Sequence, residues 1–174
     1  MRSLIKRDSP LQGQSLFIFT ILVVGLSGIV AQVMLLRELL VSFYGNELTL
    51  GLILANWIIL EAFGVFFAGK FIDKVRNKIN PVRNATQISS NAIVSNRVNI
   101  FIILQIIFSL TLPLSIYFSR IVKSMLGVPF GEAMGLSQIF YSSIFILFPV
   151  SFCHGALFSC GCNIYYSYIK ESVR

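Results

Sequence analysis

A carboxylate and an imidazole stand in this chain where neither is expected. Glu61 and His154 each interrupt a long apolar run, and a polar group in hydrocarbon is costly unless it is paired or faces a cavity. Glu61 lies nine residues from the basic edge at Lys70, hence about 13 Å into a membrane at about 1.5 Å per helical residue. His154 lies eleven residues from the aromatic edge at Tyr165, a comparable depth. An ionised carboxylate there is heavily penalised, so Glu61 is either protonated or matched to a donor. Matched depth makes His154 the expected partner, and such a pair could hold a proton or a solute. The simpler arrangement leaves each group with its own bond to a serine or a backbone carbonyl.

No other constellation points to catalysis. There is no Gly-rich phosphate loop after a strand, no second carboxylate to pair with Glu61, and no Ser, His and Asp set on a globular scaffold. No catalytic residue and no cofactor is therefore expected. Cys153, Cys160 and Cys162 fall near His154, but adjacent or alternate residues of a helix point to different faces and do not converge on one ion. They are expected to fill a helix interface as small, soft side chains, with no metal and no structural disulfide.

The elements that must position these groups are four long apolar stretches, approximately 15–36, 48–68, 98–118 and 138–165. Each reaches the roughly 20 residues that a helix needs to cross a hydrocarbon core of about 30 Å. Composition agrees: 56% of residues are hydrophobic, 12% are charged and the mean hydropathy is +0.81, where a soluble domain carries about 25% charged residues. Lipid offers the backbone no partner, so the spans are helices or a closed barrel, and unbroken apolar runs exclude the barrel's short alternating strands. The predicted class is all-α, a polytopic bundle of four transmembrane helices. The first stretch is too long for a secretory signal, and no small-residue cleavage site interrupts it before Arg37.

Small residues mark where the helices should meet. Gly25, Gly28 and Gln32 fall at i, i+3 and i+7; Trp57, Glu61, Gly64 and Ala68 fall at i, i+4, i+7 and i+11; Gly51 and Ala55 are four apart. Such spacing lets helix backbones approach closely and predicts a packing seam, turning Glu61 inward. Pro113 and Pro149 sit inside the third and fourth spans, where each removes a backbone hydrogen bond and permits a kink.

The cations set the orientation. Arg2, Lys6 and Arg7 precede the first span, and Lys70, Lys74, Arg76, Lys78, Arg83 and Arg97 fall between the second and third. The positive-inside rule places the tail 1–14, the 70–97 loop and the C-terminus in the cytoplasm, with the chain in the inner membrane. The net charge of +7 then belongs to loops beside anionic lipid, and no nucleic-acid partner is expected. Segment 77–99, rich in Asn and Ser, reads as a flexible cytoplasmic loop, and the Asn84-Ala85-Thr86 glycosylation match falls on the wrong side to be used. Tyr165, Tyr166 and Tyr168 with Lys170 form an interfacial belt.

The runs Gly25-Leu-Ser-Gly-Ile-Val-Ala-Gln-Val-Met-Leu-Leu-Arg-Glu-Leu-Leu40, Phe43-Tyr-Gly-Asn-Glu-Leu-Thr-Leu-Gly-Leu-Ile-Leu-Ala-Asn-Trp57 and Phe148-Pro-Val-Ser-Phe-Cys-His-Gly-Ala-Leu-Phe158 resemble the amino-terminal membrane region of the membrane-bound spermidine-synthase-like proteins. The resemblance covers the four spans and their order. It implies a partial transporter-like bundle that normally continues into further spans and a cytoplasmic aminopropyltransferase-like domain with a Gly-rich motif and an acidic catalytic residue. This chain reaches Arg174 before either, so no residue of the synthase domain carries over. An amino-terminal fragment is therefore expected, which anchors and handles a small solute and does not itself transfer aminopropyl groups. Its expected partners are the lipid bilayer and a downstream or separate synthase-like domain. The competing expectations are a transporter or channel subunit acting as a homo-oligomer, with Glu61 and His154 as its site, and a membrane scaffold for a partner protein.

Overall fold

The computed structural model describes residues 10–79, 88–129 and 131–172. They form four helices, α1 (Pro10–Phe43), α2 (Glu47–Ile79), α3 (Ile88–Met125) and α4 (Leu136–Ser172). Each contains a stretch long and apolar enough to cross a membrane: Ile18–Phe43, Glu47–Lys70, Val98–Met125 and Leu136–Tyr166. At 33 to 38 residues the helices run about 50–57 Å, well beyond the hydrocarbon thickness. Pro113 and Pro149 both lie within helices, α3 and α4.

The helices overrun the sequence-based boundaries at several ends. Residues 10–14, expected in the tail, open α1, and the expected 70–97 loop is helical over 70–79 and 88–97. Lys and Arg are good helix formers, and once a long apolar segment has nucleated a helix each added residue needs only propagation. The Asn84 motif and the tail 1–9 lie outside the described residues. At the other face α1 continues through Arg37 and Glu38, and α3 through Arg120.

Short connections fix the hairpins. Tyr44 adopts a left-handed conformation (φ 51°), Gly45 N–H donates to Leu40 O at 3.0 Å and Tyr44 N–H to Val41 O at 3.5 Å, the pattern of a Schellman cap on α1. Asn46 then caps α2 by accepting from Thr49 N–H at 3.2 Å. Gly127 (φ 66°) ends α3 in the same way, with Val128 N–H on Lys123 O. Gln138 reaches back to Gly135 N–H at the start of α4.

α4 is the central helix. Half of its apolar window is buried, against 17–28% in the other three. Leu147, Val150, Leu157 and Ile164 of α4 pack with Leu35 and Leu39 of α1, Ile53 and Trp57 of α2, and Phe101 and Phe108 of α3 in one apolar core. The outer surface is apolar too, with Phe19, Phe66, Leu110 and Phe145 more than half exposed. A water-soluble protein does not carry that much exposed apolar side chain; a lipid-facing bundle does.

Candidate intramembrane polar site

The α2–α4 contact is set by two glycines. A methyl at Gly64 would collide with the carbonyl oxygen of Phe152 on α4, and a methyl at Gly155 would collide with that of Glu61 on α2. Both obstacles are backbone, so no side-chain rotation relieves them. The two close approaches flank Glu61 and His154 and bring their backbones together from opposite helices.

At that crossing His154 Nδ1 lies 2.7 Å from Glu61 Oε1. The second carboxylate oxygen accepts a 3.0 Å hydrogen bond from Trp57 Nε1–H, one turn earlier on α2. Charge-assisted contacts of this length are strong, and each removes a lone pair that lipid could not satisfy. The Glu61 side chain is 30% exposed and that of His154 11%, so the pair runs from the outside of the bundle inward. The imidazole packs against Phe108 of α3, with ring centroids 5.7 Å apart, and its far edge rests on Gly28 of α1, where a methyl would fall within the ring. Four helices thus converge on one imidazole. The arrangement can hold one proton more or less: carboxylate with neutral imidazole, carboxylate with imidazolium, or carboxylic acid with neutral imidazole.

The small residues singled out from spacing divide into two groups. Gly28 and Gly64 stand at helix contacts, and Ala68 is half-buried beside a groove shared with Leu104 and Phe152. Gln32 is half-buried. Gly25, Gly51 and Ala55 take no part in the contacts among the described helices: no atom of another helix lies within 4 Å of a methyl placed at Gly25 or Gly51, and Ala55 is exposed. Helical register gives the reason. Gly51 stands about 140° and Ala55 about 180° around α2 from Gly64, away from α4.

Other polar contacts were not anticipated from the sequence. Asn56, buried on α2, donates from Nδ2 to Ser143 Oγ at 2.8 Å and to Phe140 O at 3.3 Å on α4. Arg120 of α3 holds Glu38 of α1 in a two-pronged pair, 3.1 Å on each prong, at the exposed end of the bundle. Gly155 is a further contact that small-residue spacing does not mark; its signal in the sequence is a glycine beside the intramembrane His154. Cys153 and Cys160 are buried and Cys162 is exposed. Comparison with protein-family models, curated proteins and solved structures finds no match to this chain.

Proposed function

We propose that this chain is the membrane domain of a spermidine-synthase-like membrane protein, seated in the inner membrane with its termini and segment 70–97 cytoplasmic. Within the bilayer it anchors, and it carries a proton- or solute-responsive centre at Glu61 and His154. The family assignment rests on the three sequence runs given above. The observation that carries the functional part is the 2.7 Å contact between Glu61 and His154, made inside apolar spans and braced by Trp57. An ionisable pair at that depth has a desolvation cost that packing alone does not require, and alternative apolar residues would fill the same space.

The protein contains one Trp and one His, and both belong to this site, so the chain reports on itself. In lipid vesicles, Trp57 emission followed across pH should show a single transition that Glu61→Gln removes while the amount of folded protein stays constant. A pH-independent spectrum in the unmodified chain would reduce the pair to a structural brace. A transporter or channel subunit acting as an oligomer is the second reading. It is favoured by a continuous apolar groove between α3 and α4, two lobes of about 630 and 500 Å³ sharing Phe118, Tyr141, Phe145 and Ile146. Cross-linking in vesicles that yields a discrete dimer or trimer would support it.

A further inference from the structure

We propose that His154 Nε2 is the port through which the Glu61–His154 pair exchanges its proton, and that α1 gates this port at Gly28. The inference rests on reading the pair as a protonation site. It adds where the proton enters and which helix must move.

Three observations converge. With Nδ1 committed to Glu61 Oε1, Nε2 is the ring nitrogen left to exchange a proton, and it is buried without a hydrogen-bonding partner among the described residues. A buried polar atom left unsatisfied costs stability and calls for an explanation. Next, Nε2 is the ring atom nearest to a methyl placed at Gly28, so the backbone of α1 is what covers it. Finally, the Glu61 end of the pair, 30% exposed, emerges on the lipid-facing outside of the bundle, where hydrocarbon supplies no proton. Titratable groups around His154 are Glu61 from α2 and Cys153, its neighbour on α4; α1 presents Gly28 and α3 presents Phe108, and neither titrates.

The proton balance is simple. In the closed state Nδ1–H donates to the Glu61 carboxylate and Nε2 carries a bare lone pair. A hydronium ion reaching Nε2 leaves its proton there and departs as water. The Nδ1 proton passes to Glu61 Oε1, giving a carboxylic acid and a neutral imidazole with its proton on Nε2; the reverse transfer resets the pair. The product state has a buried N–H donor facing a Cα of α1, which accepts nothing. It is therefore favoured when α1 draws back and water reaches Nε2, so proton uptake and α1 displacement are linked in both directions.

The test uses the full chain in lipid vesicles with ¹⁵N-labelled histidine, whose single residue gives one pair of ring signals. At high pH the expected form has the proton on Nδ1 and no magnetisation transfer from water to Nε2. At low pH the proton should move to Nε2 and exchange with water. Gly28→Ala should open the port, making Nε2–H exchange with water faster by roughly tenfold or more at low pH, where Nε2 carries the proton. Should that variant fold poorly, Gly28→Ala should add no further loss in a His154→Ala background, because the ring that collides is gone. A double variant that folds worse than His154→Ala alone would overturn the interlock. Absence of any titration would refute the protonation reading itself, whereas titration with unchanged exchange in Gly28→Ala would overturn the gate alone.

Discussion

Adding one methyl at Gly155 should part α2 from α4 and loosen the polar pair. The new carbon would stand 3.0 Å from the Glu61 carbonyl carbon and closer still to its oxygen, whereas carbon atoms pack at about 3.5–4.0 Å. The helices must then separate by roughly 0.5–1 Å, a gap that forfeits a quarter to a half of each dispersion contact along the seam. Over the same displacement the 2.7 Å contact of His154 with Glu61 stretches to about 3.2–3.7 Å, from a strong hydrogen bond to the edge of one or beyond. Overpacking costs about 1–3 kcal/mol and an interhelical polar contact in a membrane about 0.6–2 kcal/mol, so Gly155→Ala should lose about 2–5 kcal/mol. SDS titration of the protein in bicelles, read by Trp57 emission, measures it. Gly64→Ala should behave similarly against Phe152, and the two together should cost less than their sum, because the first substitution already makes the room that the second needs. Gly51→Ala is the control: the site is open, so it should cost nothing. Equal midpoints for Gly155→Ala and Gly51→Ala would refute the argument.

Asn56→Leu should cost about 1 kcal/mol in the same titration, since it removes the bonds to Ser143 and Phe140 at the usual worth of interhelical polar contacts. Arg120→Ala should leave the bundle intact and matter less as salt rises, because the Glu38 pair is exposed and screened; a large salt-independent loss would show that the pair is buried in the membrane protein. Reporter fusions at either terminus or within 70–97 should read cytoplasmic; a periplasmic signal from that segment would invert the topology.

Much of this architecture is legible in the sequence because lipid simplifies the problem. A run such as 98–118 has one stable solution in hydrocarbon, so helix identity follows from apolarity alone. The spacing of Trp57 and Glu61 places them on one face, and their hydrogen bond follows from that. Azimuth is where legibility ends. Gly51 and Ala55 have the same four-residue spacing as a true seam, and nothing in that spacing says that α4 lies on the opposite side. The Arg120–Glu38 pair joins residues 82 apart on helices whose adjacency no local pattern encodes. α1 and α2 run past Arg37 and Lys70 for a different reason: charge marks where lipid ends, and a helix need not end there.

The order in which the chain is made gives the Trp57 hydrogen bond a temporal meaning. Glu61 and His154 are 93 residues apart, which at roughly 5–20 residues per second of synthesis is a delay of about 5–20 s. During that interval α2 is complete while the helix bearing the imidazole has not been made. Trp57, four residues away on the same helix, is available as soon as α2 winds. It gives the carboxyl group a local partner from its first moments in lipid, and the distant one adds to it later. A newly inserted α2 therefore need not wait with a bare carboxyl in the bilayer, and Trp57→Phe should show its largest effect on the yield of inserted protein, ahead of any effect on the finished bundle.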